Sequence, residues 1–164
     1  MDAEIYSPPE VYVMPGESHF ATEPVIFRTI LGSCVGVAIY SSDHRAAALC
    51  HPMLPLHPGT KSDDPHEIAS GHRYVDFAIR SIAAQFDAVG IQREELCVKL
   101  FGGGDVLLTK EKRSRLTVGE MNCETALRVL EEEHLRVVAA SLRGNNGVHI
   151  RFHTATGEVL LRRL

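Results

Sequence analysis

The chain has 164 residues, 45% hydrophobic and 23% charged, with no tryptophan and a net charge of −4 counting histidines neutral. That is the length of one domain, 1–164, with a core resting on Leu, Val, Ile and Ala, and the composition excludes disorder. The acidic balance gives no support to nucleic-acid binding, no apolar run reaches a membrane span, and Met1-Asp2-Ala3-Glu4 lacks the basic start of an export signal. The cysteines at 34, 50, 97 and 123 never form a C-x-x-C pair, and in such a chain they read as free thiols of a cytoplasmic protein.

Met1 to Pro24 is broken by Pro8-Pro9, Pro15-Gly16 and Pro24, leaving room for one short strand at Val11–Met14. Val25–Leu31 is a β-branched run and a second strand. After Gly32-Ser33, Cys34 heads the apolar run Val35–Tyr40, and a further run, Ala46–Cys50, ends at His51. Ser41-Ser42-Asp43-His44 joins the two as an antiparallel hairpin, which brings Cys34 and His51 to the same end. Leu56–Arg73 reads as a polar loop carrying His57, His66 and His72.

Tyr74, Phe77, Ala78, Ile82 and Phe86 recur at three- and four-residue steps and predict an amphipathic helix over 74–88, stopped near Gly90. Leu96–Phe101 is a strand running into Gly102-Gly103-Gly104, and Lys110–Arg115 is polar loop. A second helix spans about 121–133 around Leu127, Val129 and Leu130. Val137–Ala140, Val148–Phe152 and Val159–Leu161 are strands, with turns at Gly144–Gly147 and Thr156-Gly157, the latter closing a hairpin. Strands outnumber helices, and neither a repeat nor a linker divides the chain.

A thiol beside an imidazole can act as a nucleophile and its base. By residue type alone the commoner fate of Cys34 is a buried core cysteine, and that of His51 a histidine held by a backbone carbonyl. Cys50, next to His51 on a strand, points to the opposite face and is core, as are Cys97 and Cys123. Thr29 and Ser33 are both candidates to orient the ring or a substrate amide; the plainer reading of Thr29 is a strand residue chosen for β propensity. His57, His66 and His72 lack the tight spacing of a zinc site, and the Gly102 run lacks the Lys-Ser/Thr of a phosphate loop. No metal or cofactor is expected.

Leu31-Gly32-Ser33-Cys34-Val35, His51-x-Met53-Leu54-Pro55, Lys99-Leu100-Phe101-Gly102-Gly103, Gly119-x-x-Asn122, Gly144, Gly147 and Thr156-Gly157-Glu158-Val159-Leu160 follow one another over nearly the whole chain. Together they resemble the CheD family, the chemoreceptor glutamine deamidases of bacterial chemotaxis. The resemblance implies an α/β (α+β) fold: a layered sandwich of mainly antiparallel, mixed sheet with two main helices, similar to the cytotoxic necrotizing factor deamidases. It implies Cys34 as nucleophile, His51 as base, and a glutamine on the cytoplasmic helices of a chemoreceptor as substrate. A CheC-type phosphatase is the further partner it implies. The family often places a threonine six positions before the cysteine, where this chain has Arg28; Thr29 stands five before it. A non-catalytic module that docks receptors or the phosphatase is the rival reading, and a thiol protease or transglutaminase-like acyl transferase a third.

Overall fold

A computed structural model describes residues 5–59, 61–106 and 115–164. Among them nine strands form two sheets. β1 (Glu10–Tyr12), β3 (Ile26–Leu31), β8 (Val148–His153) and β9 (Glu158–Arg163) make one, in the order β1-β3-β8-β9. β2 (Ser18–Ala21), β5 (Ala47–Cys50), β4 (Val35–Ser41), β6 (Leu96–Gly102) and β7 (Arg136–Leu142) make the other, in the order β2-β5-β4-β6-β7. The β1–β3 and β6–β7 pairs are parallel and the rest antiparallel, so both sheets are mixed. α1 (Pro65–Gly71), α2 (Val75–Ala88) and α3 (Val118–Glu132) complete the set.

The layers follow from side-chain alternation along β4. Val35, Val37 and Ile39 pack with Ala78, Ile79, Ile82 and Phe86 of α2 and with Ala126, Val129 and Leu130 of α3. Ala38, in the opposite phase, packs with Leu49, Phe101, Phe27, Ile150 and Phe152 between the two sheets. Both faces of β4 are buried, which is why it reads as a near-continuous apolar run. The order of layers is helices, five-stranded sheet, four-stranded sheet. This is the mixed α/β sandwich with two main helices that the family resemblance implies.

Three details differ from the expectations. Ser18–Ala21 is a strand, on the edge beside β5, too short and too polar to announce itself between Pro15-Gly16 and Pro24. Part of the polar loop 56–73 is helical: Asp64 caps α1 by accepting from His66 N, and Pro65 occupies its first turn. Only Gly71 of that helix is buried, so it carries no apolar stripe for periodicity to find. α3 starts three residues earlier than about 121, at a Thr117–Glu120 capping box. The expected loop Lys110–Arg115 lies, Arg115 apart, outside the described residues.

Candidate active site

The hairpin register pairs Val37 with Cys50, so Cys34 precedes the first residues of β4 and His51 follows the last of β5, at one end of the pair. Cys34 shares strand phase with Gly36 and Ala38, and His51 shares phase with Leu49. Ala38, Leu49 and the half-buried Cys34 all lie in the layer between the sheets. Cys50, one residue from His51, belongs instead to the helix-side cluster, and full burial pushes its thiol up to about 12.

From the facing sheet, Phe27, Thr29 and Leu31 point into the same layer, while Arg28 points outward to Glu10 at 3.3 Å. Strand alternation thus settles which of Arg28 and Thr29 faces the site. Thr29 is 0% and His51 1% exposed. The Thr29 hydroxyl donates to the Val13 carbonyl at 2.6 Å, and its oxygen lies 2.7 Å from His51 Nδ1. With its one proton committed to Val13, the hydroxyl can only accept from the ring. Nδ1 therefore carries the hydrogen, an assignment made from the network, and Nε2 keeps the lone pair. The Val13 carbonyl itself stands 3.4 Å from Nδ1.

The histidine backbone is pinned as well. Gly16 N donates to His51 O at 2.7 Å, and His51 N donates to Glu17 O at 2.9 Å. β2 and the turn before it thus form a rail for the end of β5. Burial lowers the His51 pKa, opposed by the Val13 carbonyl and the charge of Glu17. Burial raises the Cys34 thiol, opposed by its own backbone N–H. Both shifts run toward the neutral forms of the two groups. Among the described residues no hydrogen bond joins Cys34 Sγ to His51; the two share a face and an end, and Nε2 is the ring nitrogen left for the thiol.

The loop carrying Cys34 is braced from behind through three successive carbonyls. Gly104 N donates to Gly32 O at 2.9 Å, Asn122 Nδ2 to Ser33 O at 3.0 Å, and Gly103 N to Cys34 O at 2.7 Å. Gly102 and Gly103 have φ of +89° and +62°, a left-handed stretch that turns the end of β6 toward that loop. Asn122 Nδ2 also donates to Met53 O at 3.0 Å, joining the loop that carries Cys34 to the segment after His51. Asn122 is a site residue that residue-by-residue reasoning passed over. Its signal was a short polar amide on the face of α3 that otherwise buries Cys123, Ala126, Val129 and Leu130. Ser33, the other candidate for the third position, contributes a carbonyl to Asn122, and the hydroxyl at the ring is that of Thr29.

The loop histidines stand apart. His57 stacks on Phe77 and meets Tyr74 edge-on, and His72 Nδ1 lies 2.7 Å from Ser18 Oγ. A cavity of about 800 Å³ opens beside His57, Tyr74, Phe77 and Ile68, and none of Cys34, His51 and Thr29 lines it.

A family model described as CheD chemotactic sensory transduction matches residues 53–163. The chain belongs to the CheD family. The match begins just past His51, so Thr29, Cys34 and His51 lie outside it, but full-length relatives extend over them. The "Probable chemoreceptor glutamine deamidase CheD 2" of Geobacter sulfurreducens is 44% identical over 156 residues, covering 95% of this chain and 91% of its own length. The "Probable chemoreceptor glutamine deamidase CheD" of Maridesulfovibrio salexigens is 33% identical, covering 94% and 91%. Among solved structures, a Neisseria meningitidis protein of family model DUF152 superposes with a TM-score of 0.52 at 9% identity, over 84% of this chain and 65% of that one. This last likeness concerns the fold alone. Among the described residues of this CheD chain, no helix is long and apolar enough to cross a membrane.

Proposed function

We propose that this chain is a deamidase of protein-bound glutamine, with chemoreceptor cytoplasmic helices as substrate and residues 1–164 acting as one cytoplasmic deamidase domain. The observation that carries the reading is the imidazole of His51, locked by Thr29 into the tautomer with a free Nε2, at the same strand end and on the same face as Cys34. A pure docking module has no use for a buried histidine oriented in this way.

In this reading the thiol proton of Cys34 passes to His51 Nε2 as sulfur attacks the glutamine side-chain carbonyl carbon. The resulting tetrahedral oxyanion collapses, the C–N bond breaks, and the imidazolium returns the proton to departing ammonia. The thioester left on Cys34 is attacked by water, whose proton His51 takes. Cleavage of the C–S bond then restores the thiol and releases glutamate. One water is consumed and one ammonia formed, with no change of oxidation state.

That Cys34 lies at a strand end and not within the 800 Å³ cavity suits a side chain offered by a macromolecule rather than a small molecule engulfed whole. A CheC-type phosphatase as second partner belongs to the same reading and rests on the family alone. The deciding experiment incubates receptor cytoplasmic fragments with wild-type and Cys34→Ala protein and reads Gln-to-Glu conversion by peptide mass spectrometry. Conversion by wild type alone is expected; equal conversion by a folded Cys34→Ala variant removes the nucleophile assignment.

A further inference from the structure

We propose that Asn122 is a positioning residue that sets the plane of the Ser33–Cys34 peptide, so that the Cys34 N–H is presented to the oxyanion formed on attack by the thiol. The inference rests on the thioester reading given above and adds to it a residue outside the Cys34–His51–Thr29 group.

The argument starts from peptide geometry. Among the described residues there are no cis peptide bonds, so each carbonyl in the Gly32–Cys34 loop points opposite to the N–H of the next residue. All three carbonyls are held on the scaffold side, by Gly104 N, Asn122 Nδ2 and Gly103 N. The N–H groups of Ser33, Cys34 and Val35 therefore face away from that scaffold. Among the described residues the Ser33 and Cys34 N–H groups have no backbone or side-chain oxygen as acceptor. The Cys34 N–H does lie close enough to its own sulfur to hold the thiol pKa down against burial. It is thus a backbone donor with capacity to spare, adjacent to the atom that attacks.

Of the three peptide planes, two are set by backbone of the glycine turn after β6. The middle one, which owns the Cys34 N–H, is set by a side chain. Asn122 is 0% exposed and sits in the second turn of α3, a place where an amide is costly unless bonded. Both of its N–H hydrogens are used at 3.0 Å, one on Ser33 O and one on Met53 O, and its Oδ1 has no partner among the described residues. An apolar residue would fill that face of the helix without burying an unpaired oxygen. What it could not do is hold two loop carbonyls, one ahead of the nucleophile and one two residues beyond the base. A donor aimed at a developing charge helps the transition state far more than the ground state.

The test separates a reaction that passes through an oxyanion from one that does not. Acylation of Cys34 by p-nitrophenyl acetate forms a tetrahedral oxyanion, whereas alkylation by iodoacetamide is a direct displacement at carbon. Both need the same thiolate, so their ratio isolates the oxyanion donor. In Asn122→Ala the acylation rate should fall about 100- to 1,000-fold, the range for loss of an aligned donor. Alkylation should fall far less, by no more than the thiolate fraction lost when the Cys34 N–H turns from its own sulfur, because no oxyanion forms on that path. An unchanged acylation-to-alkylation ratio overturns the proposal, and so does a parallel fall in both rates, which is the mark of a merely structural role. If Asn122→Ala does not fold, Asn122→Ser carries the same comparison, since its shorter hydroxyl has one proton for two carbonyls. A lowered ratio in a protein that never deamidates receptor fragments sinks the substrate reading and leaves this one standing. Receptor deamidation with an unchanged ratio does the reverse.

Discussion

Thr29→Val tests the orientation of the base most directly. Valine keeps the shape and β preference of threonine on β3 but removes the hydroxyl. Two buried groups then lose their partner: the Val13 carbonyl, at 2.6 Å, and the His51 Nδ1–H, at 2.7 Å. An orphaned buried donor or acceptor costs about 1–3 kcal/mol. The two orphans stand only 3.4 Å apart and can close on each other, so the net loss should be about that of one group, ~1–3 kcal/mol. In a domain of this size that lowers Tm by about 2–12 °C. Closing that gap swings the ring toward Val13 and carries Nε2 off its line to Cys34; a displacement of about 1 Å costs ~100-fold in rate. The expected result on a receptor fragment is therefore a kcat about 100-fold lower with KM little changed. Thr29→Ser, which restores the hydroxyl, should recover most of both rate and Tm. A folded Thr29→Val variant with wild-type kcat would refute the reasoning and leave a two-residue Cys34–His51 site.

In native protein, iodoacetamide should label Cys34 and spare Cys50, whose buried thiol sits near pKa 12; peptide mapping after denaturing quench reads this, and prompt labelling of Cys50 speaks against the layered core. Burial lowers His51 and His72 from the ordinary imidazole value of 6.5, so below it the unfolded chain takes up protons that the folded protein refuses. Stability is accordingly unaffected by these groups above that value and falls as pH drops through it toward their folded pKa. Urea midpoints between about pH 7.5 and pH 5 should decline, and His51→Gln and His72→Gln should each flatten the decline. The same lowering keeps His51 an available base below 6.5, so the acid limb of the rate profile should lie on the acidic side of that value.

The strands other than β2, and the hairpin, were legible because β-branched and apolar runs alternate with clear turn residues, and because the register of a tight hairpin leaves its two ends little choice. Thr29 was legible only as far as alternation allows: one of Arg28 and Thr29 had to face inward, and charge excludes Arg28 from an apolar layer. What decides the tautomer is the Val13 carbonyl, and a backbone oxygen sixteen residues away leaves no mark on residue type. Asn122 was visible as a residue shared with the family pattern, but its two bonds depend on α3 lying behind both loops at once, a tertiary fact. α1 escaped because a helix with one buried residue has no periodicity, although Asp64-Pro65 is a start signal in its own right.

His51 and the Thr29 hydroxyl beside it stand on different sheets, with the apolar layer of Phe27, Leu49, Ile150 and Phe152 between those sheets. Each sheet can pair its own strands without the other, yet neither alone holds His51 in register with Thr29. The arrangement of His51 and Thr29 consequently exists only when the two sheets are docked. While the sheets are apart, His51 lacks the Thr29 hydroxyl that fixes its tautomer. Enlarging or hollowing the inter-sheet layer far from Cys34, at Phe152 for example, should then disarm the nucleophile before the chain unfolds.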